Sequence, residues 1–87
     1  MMQKMYSIFD KKSEIYTKPF VEMTDGTAVR AITDLIRQQP GGPHAQYSQD
    51  YTLYRVGEFD ERSGLVSSLV EEKIIELATL TDEAKES

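Results

Sequence analysis

From Tyr51 to Phe59 the sequence alternates, so that Tyr51, Leu53, Arg55, Gly57 and Phe59 share one side of an extended chain and Thr52, Tyr54, Val56 and Glu58 the other. Both sides carry large side chains, which reads as a central strand covered on both faces. Residues 60–64 (DERSG) follow as a turn, with Gly64 suited to a positive φ, and Leu65 and Val66 resume the apolar run. A hairpin built on a central strand commits the chain to a sheet. The remaining segments have to supply its neighbours and its cover.

Residues 4–10 (KMYSIFD) alternate well enough for a first strand, with Tyr6 and Ile8 on one side and Met5, Ser7 and Phe9 on the other. Residues 11–13 make the turn, and residues 14–23 a second extended segment. Pro19 cannot donate to a ladder, so that segment is an edge strand or is interrupted there, and its edge is a candidate pairing surface. Next, Thr24-Asp25-Gly26-Thr27 precedes Ala28, Val29, Ile32, Leu35 and Ile36, an apolar stripe that predicts a helix over residues 26–38. Thr24 or Asp25 caps its first turn and Arg37 complements the dipole at its end. Asp-Gly also suits a hairpin turn, but the 3.6-residue period that follows favours the helix.

Residues 38–49 (QQPGGPHAQYSQ) hold two prolines, two glycines and no period, which predicts an exposed loop, either a flexible connector or a functional segment. After Gly64 the pattern is ambiguous. Val66, Leu69, Val70, Ile74, Leu77 and Ala78 fit a helical stripe, yet the β-branched Ile74-Ile75 and the Ser67-Ser68 pair favour two short strands, near residues 65–68 and 73–78. Residues 81–87, with Asp82, Glu83 and Glu86, read as a flexible acidic tail on a single domain spanning residues 1–80.

Charge and composition exclude several function classes. Net charge is −5, but residues 1–20 carry Lys4, Lys11, Lys12 and Lys18 against Asp10 and Glu14, whereas residues 51–87 carry nine acids against four bases. The acidic total argues against tight sequence-independent DNA binding, which phosphate neutralisation drives, and leaves room for a local basic face. The absence of cysteine removes disulfides and thiolate metal sites and suits a reducing cytoplasm. No apolar run approaches the roughly 18 residues that span a bilayer, and residues 1–4 lack the order of a signal peptide, so the expected compartment is the cytosol, with no membrane contact.

Catalytic patterns are equally sparse. His44 is the single histidine and reads as a solvated loop residue, with no partners for a metal site or a nucleophile. The pairs Asp60-Glu61 and Glu71-Glu72 fall where turns or solvated faces are expected, and sequence neighbours on a strand point to opposite sides. There is no GxxxxGK and no GxGxxG. The chain reads as a non-enzyme without cofactor or metal. What remains is bases interleaved with aromatics: Lys11, Lys12, Tyr16, Lys18 and Phe20 in the first hairpin, and Tyr54 and Arg55 in the central strand. Single-stranded nucleic acid is held by this combination, rings stacking on bases and cations tracking phosphates. The plainer reading is that the rings are core and the lysines solvated decoration.

With SIFDKKSEIYTKPF (residues 7–20), AVRAITDLI (residues 28–36) and DYTLYRVGEFDERSG (residues 50–64), the chain resembles the small nonstructural protein of gokushovirus-type microviruses, tailless phages with single-stranded DNA genomes. The likeness spans residues 5–66. Where members of that family carry a His-Pro-Glu-Asp-Tyr run, this chain has Tyr47-Ser48-Gln49-Asp50-Tyr51, with His44 earlier, so no histidine role carries over. The resemblance implies a non-enzymatic accessory factor of the host bacterial cytoplasm. It would favour the switch from duplex replication to single-strand synthesis and packaging into procapsids, through single-stranded DNA, the replication complex, or both.

Two readings follow. In one, Lys11, Lys12 and Lys18 contact phosphates and Tyr16, Phe20 or Tyr54 stack on bases, joined by Arg30, Arg37 and Arg55. In the other, the protein is an adaptor that meets phage replication or capsid proteins without touching DNA. The expected fold is α+β: an antiparallel sheet of four to five strands packed on one helix. That helix buries Ala28, Val29, Ile32, Leu35 and Ile36 against Ile8, Leu53 and Val56, and so small a core invites homo-oligomerisation.

Overall fold

The computed structural model of the chain describes residues 2–86, and side chains through Thr81. Its elements in order are β1 (Met2–Asp10), β2 (Ile15–Tyr16), β3 (Phe20–Glu22), α1 (Asp25–Gln38), α2 (Pro43–Gln46), a 3-10 turn (Ser48–Asp50), β4 (Tyr51–Asp60), β5 (Val66–Glu76) and α3 (Leu77–Glu86). The five strands form one antiparallel sheet in the order β2-β1-β4-β5, with β3 also paired to β1. The fold is α+β, as the sequence predicted.

Pro19 interrupts the first edge as expected. β2 pairs Phe9 and Asp10, β3 pairs Lys4, Met5 and Tyr6, and the chain between them leaves the regular ladder. Thr17 bridges the gap, its amide donating to the Ile8 carbonyl at 2.9 Å and its hydroxyl accepting from the Ile8 amide at 3.0 Å. A side chain thus completes the pairing that proline denies to the backbone. The turn between β1 and β2 is closed by the Asp10 carboxylate, which accepts from the Lys12 amide. Between β4 and β5, Gly64 takes φ of 76°, the left-handed value expected of it.

β4 is the central strand. Tyr6 faces Arg55 and Ile8 faces Leu53, so these four share the side on which the helices pack. Val56 is passed over in the register where Met5 pairs Gly57 and Tyr6 pairs Arg55, a β-bulge. Gly57 lies so close to the neighbouring strand that a Cβ there would stand 2.7 Å from the Ser67 carbonyl oxygen. The glycine is what lets β5 approach.

α1 follows its sequence signals closely. Thr24 is the N-cap, its hydroxyl accepting from the Thr27 amide at 3.1 Å while the Thr27 hydroxyl accepts from the Thr24 amide, a reciprocal cap. Ala28, Ile32 and Ile36 are buried, at the spacing of one helix face, and Val29 packs beside them, while Leu35 is half-buried. Their partners on the sheet are Tyr6, Ile8 and Leu53.

Several expectations change. Val56 does not face α1, because it lies on the opposite side of the sheet, where no helix of the described residues covers β4 and only Thr52 of its residues 52, 54, 56 and 58 is fully buried. The region after Gly64 is one long strand, and at Leu77 it becomes a helix. α3 is a second cover for the same sheet face, contributing Leu77 and Leu80 to the core. Thr81, expected to begin an acidic tail, is buried, shares a hydrogen bond with Ser48 at 2.9 Å, and the helix continues to Glu86. The expected loop of residues 38–49 contains α2 and the 3-10 turn, which seat Ala45 and Tyr51 against the core. No helix among the described residues is long and apolar enough to cross a membrane.

Candidate nucleic-acid interface

With α1 and α3 packed on one face, the other side of the sheet carries no helix among the described residues and is covered only by its own side chains, which bury Ser7 and Thr52. Phe9 from β1, Tyr16 from β2 and Tyr54 from β4 meet there. The Phe9 and Tyr16 ring centres are 4.7 Å apart, those of Tyr16 and Tyr54 5.9 Å, and those of Phe9 and Tyr54 6.2 Å, the last two pairs edge-on. Edge-to-face contacts hold such rings in place, and of the three Tyr16 is exposed while Phe9 and Tyr54 are half-buried. Beside them a groove of about 540 Å³ is lined by Ser7, Tyr16, Thr17, Pro19, Val56, Leu69 and Glu71. Ser7 at its floor is buried, its hydroxyl donating to the Thr17 carbonyl at 2.7 Å.

A strap crosses this face. The Tyr16 hydroxyl donates to the Glu71 carboxylate, joining an edge strand to the strand at the opposite edge. That hydrogen bond, with desolvation and the negative charge of Glu71, pushes the Tyr16 hydroxyl up to about 12. Glu71 reaches across because β5 bulges here, residues 69–71 lying between its pairings with Arg55 and Gly57.

The neighbouring end of the face is ionic. Lys11 donates to Glu76 at 2.9 Å and to the Gln49 carbonyl at 3.1 Å, and Thr52 donates to the same carboxylate at 2.7 Å. Burial alone would raise the Glu76 carboxyl, but the hydrogen bonds from Lys11, Thr52 and Lys73 outweigh it and hold it down to about 2.

The nine residues singled out in the sequence are divided by this arrangement. Tyr16 and Tyr54 come together on the open face, and Lys12 and Lys18 are exposed in the first turn and on the connection before Pro19. Lys11 is near the same face but paired with Glu76. Phe20 turns to the helix side, 5.8 Å from the Tyr6 ring, as core packing. Arg55 also points to the helix side, with its guanidinium 3.1 Å from both Asp25 oxygens and in contact with Glu72. Its task there is to tie the start of α1 to the sheet. Arg30 and Arg37 are exposed on α1, which places them across the sheet from the rings. No single patch contains all nine.

Two members of the ring face escaped sequence reasoning. Phe9 was within reach, because the alternation of Met5, Ser7 and Phe9 already sets it opposite Tyr6 and Ile8. Glu71 was not, since its partner Tyr16 is 55 positions away. His44, expected in solvent, is half-buried with its ring 4.7 Å from that of Tyr51, and burial lowers its pKa against the opposing pull of Asp10.

This is a small antiparallel sheet with helices on one side and an aromatic surface on the other. The model of the Phage ORF5 protein family matches residues 3–80, nearly the whole of this architecture, and the chain belongs to that family of phage proteins. No curated protein and no solved structure is detectably similar to it.

Proposed function

We propose that the protein is a non-enzymatic accessory factor of a gokushovirus-type microvirus that binds single-stranded DNA on the open face of its sheet. Acting in the host bacterial cytoplasm, it promotes the switch to single-strand genome synthesis and packaging. The observation that carries this reading is the side-by-side placement of Phe9, Tyr16 and Tyr54 on a sheet face with no helix over it. Sheets that bind single strands present rings in this way, because every base has a face that stacks.

Magnitudes set the strength of the complex. A base stacked on each of Tyr16 and Tyr54 supplies about 1–3 kcal/mol per ring. Two rings therefore supply about 2–6 kcal/mol, short of the roughly 8 kcal/mol of a micromolar complex. Lys12 and Lys18, exposed in the first turn and on the connection before Pro19, supply the phosphate contacts that complete it. With two such contacts, the logarithm of the affinity falls against the logarithm of salt with a slope of about −1.4.

Fluorescence anisotropy with a labelled oligothymidine tests this. Tyr54→Ala should weaken binding about tenfold or more, the loss of one stacked base, and Lys12→Glu with Lys18→Glu should weaken it further and flatten the salt slope. Equal affinity for Tyr54→Ala and the native chain, or no binding at low salt, overturns the reading.

One observation favours a second reading, an adaptor for phage replication or capsid proteins. Glu71 and Glu76 border the same face, where a basic protein surface would find complementary charge. Pull-down from infected cells separates the two: phage proteins retained after nuclease treatment support the adaptor, and their loss supports DNA bridging.

A further inference from the structure

The edge expected to pair with a partner, around Pro19, is already broken into β2 and β3 by the proline. The opposite edge is different. β5 ends the sheet, is eleven residues long, and leaves one whole side of its backbone without a neighbouring strand. Around its first half the apolar side chains face solvent: Leu65 is 68% exposed, Val66 62%, Leu69 40% and Val70 93%. An uncovered strand edge carrying such residues is a pairing surface, and proteins that keep an edge unpaired place charge or proline on it. Here the eight residues 63–70 (SGLVSSLV) hold no charge at all.

The geometry points to a second copy of this chain as the occupant, joined β5 to β5 in antiparallel register about a two-fold axis at Ser67. The order of charges along this edge suits a second copy in this register. Arg62 precedes the neutral run and Glu71 and Glu72 follow it, so an antiparallel copy sets the basic end of each against the acidic end of the other. The net −5 of each chain disfavours other approaches. Centring the pairing on Ser67 sets neutral residue against neutral residue, Val66 opposite Ser68 and Ser67 opposite its own copy, with Leu65 and Leu69 flanking the paired stretch. It also brings the turn of each copy, with Arg62, beside Glu71 and Glu72 of the other. A pairing centred on Glu71 or Glu72 would oppose like charges directly, which is destabilising. The bulge at residues 69–71 ends the pairable stretch, so the contact closes as a dimer and does not propagate.

An antiparallel edge contact has its two-fold axis perpendicular to the sheet, so both ring faces emerge on the same side. The dimer would present one continuous surface with two sets of Phe9, Tyr16 and Tyr54. This consequence rests on the nucleic-acid reading, whereas the dimer itself does not.

The chain contains no cysteine, which makes crosslinking clean. Residues facing each other across an antiparallel pair have Cα atoms about 4.5–5.5 Å apart, within disulfide reach. Ser67→Cys should therefore oxidise to a covalent dimer, and Ser13→Cys, in the first turn, should not. Light scattering should give about twice the 9.9 kDa chain mass for the native protein. Val70→Lys, at a position too exposed to disturb the fold, should weaken association at least tenfold. A native monomer at about 100 μM, where even weak edge contacts assemble, overturns the dimer. So does a dimer unchanged by Val70→Lys or uncrosslinked through Ser67→Cys. Capture of a phage protein at this edge by a monomeric chain would likewise overturn it. Anisotropy on the same samples keeps the two readings apart, since a dimer that ignores DNA sinks the nucleic-acid reading alone, and a monomer that binds DNA sinks the dimer alone.

Discussion

The two faces of the sheet use the same residue types in opposite ways. On the helix side, Tyr6 is fully buried and its hydroxyl donates to Asp25 at 2.5 Å, and burial with that bond raises its pKa. Arg55 is held by Asp25 and Glu72, so tyrosine and arginine there lock the start of α1 onto β1 and β4. On the other side, Tyr16 and Tyr54 pack against Phe9 with no helix of the described residues above them, Tyr16 reaching across to Glu71 while Phe9 and Tyr54 are half-buried, and the lysines of the first hairpin remain at the surface. Residue type alone does not distinguish a structural tyrosine from one that can bind. The parity of the strand and the positions of its bulges do.

The largest contrast should come from adjacent residues of β4. Leu53→Ala empties a fully buried core position and should cost about 2–5 kcal/mol. Tyr54→Ala, one residue on but facing out, should cost about 1 kcal/mol, the worth of its edge-on ring contacts. Urea denaturation reads both, and similar losses would mean that the open face is as structural as the closed one.

Gly57 tests how the faces are held together. Alanine there meets the Ser67 carbonyl oxygen at 2.7 Å and must push β5 away, at about 1–3 kcal/mol. Unchanged stability would show that β5 is not seated as described.

The ionic end of the open face makes a pH-dependent contribution. Glu76 has its carboxyl held at about 2 in the fold, against an ordinary 4.5. The folded state therefore prefers the ionised form, and this stability is present above pH 4.5 and lost as pH falls towards 2. With a partly exposed pair the contribution is about 1–2 kcal/mol after screening. Glu76→Gln should be less stable than the native chain at pH 7, and the gap should close by pH 2 in thermal melts. A gap that stays constant with pH contradicts the assignment.

The smallest effect compares two hydroxyls. Tyr6→Phe removes a donor to Asp25 inside the fold and should cost about 0.5–1.5 kcal/mol. Tyr16→Phe removes a donor to Glu71 that water can replace, and its stability should change by less than about 0.5 kcal/mol. A reversed order in thermal melts would break the comparison.

Much of this contrast was legible in the chain. Period and capping residues located α1 almost to the residue, and alternation placed Leu53 opposite Tyr54 on β4. Pro19 marked the broken edge, and Gly64 the turn. What escaped depends on long-range pairing. The conversion from β5 to α3 at Leu77 occurs because Leu77 and Leu80 find the core beside α1, a contact with no local signature. The side on which Val56 lies follows from its parity, but no pattern says that this side lacks a cover. The partners of Arg55 and Lys11 lie 30 and 65 positions away, so their neutralisation was invisible from composition. The aromatic and basic residues were recognised as a set, and the fold then sorted them onto different faces.

If the proposed binding surface is the helix-free face of the sheet, a single-stranded ligand should perturb that face alone. Titrating isotope-labelled protein with a short oligothymidine and following backbone amide resonances by NMR tests it directly. Shifts should concentrate at Phe9, Tyr16, Lys18, Tyr54 and Leu69, with α1 around Arg30 and Arg37 unmoved. Shifts confined to α1, or no shifts at low salt, would contradict it.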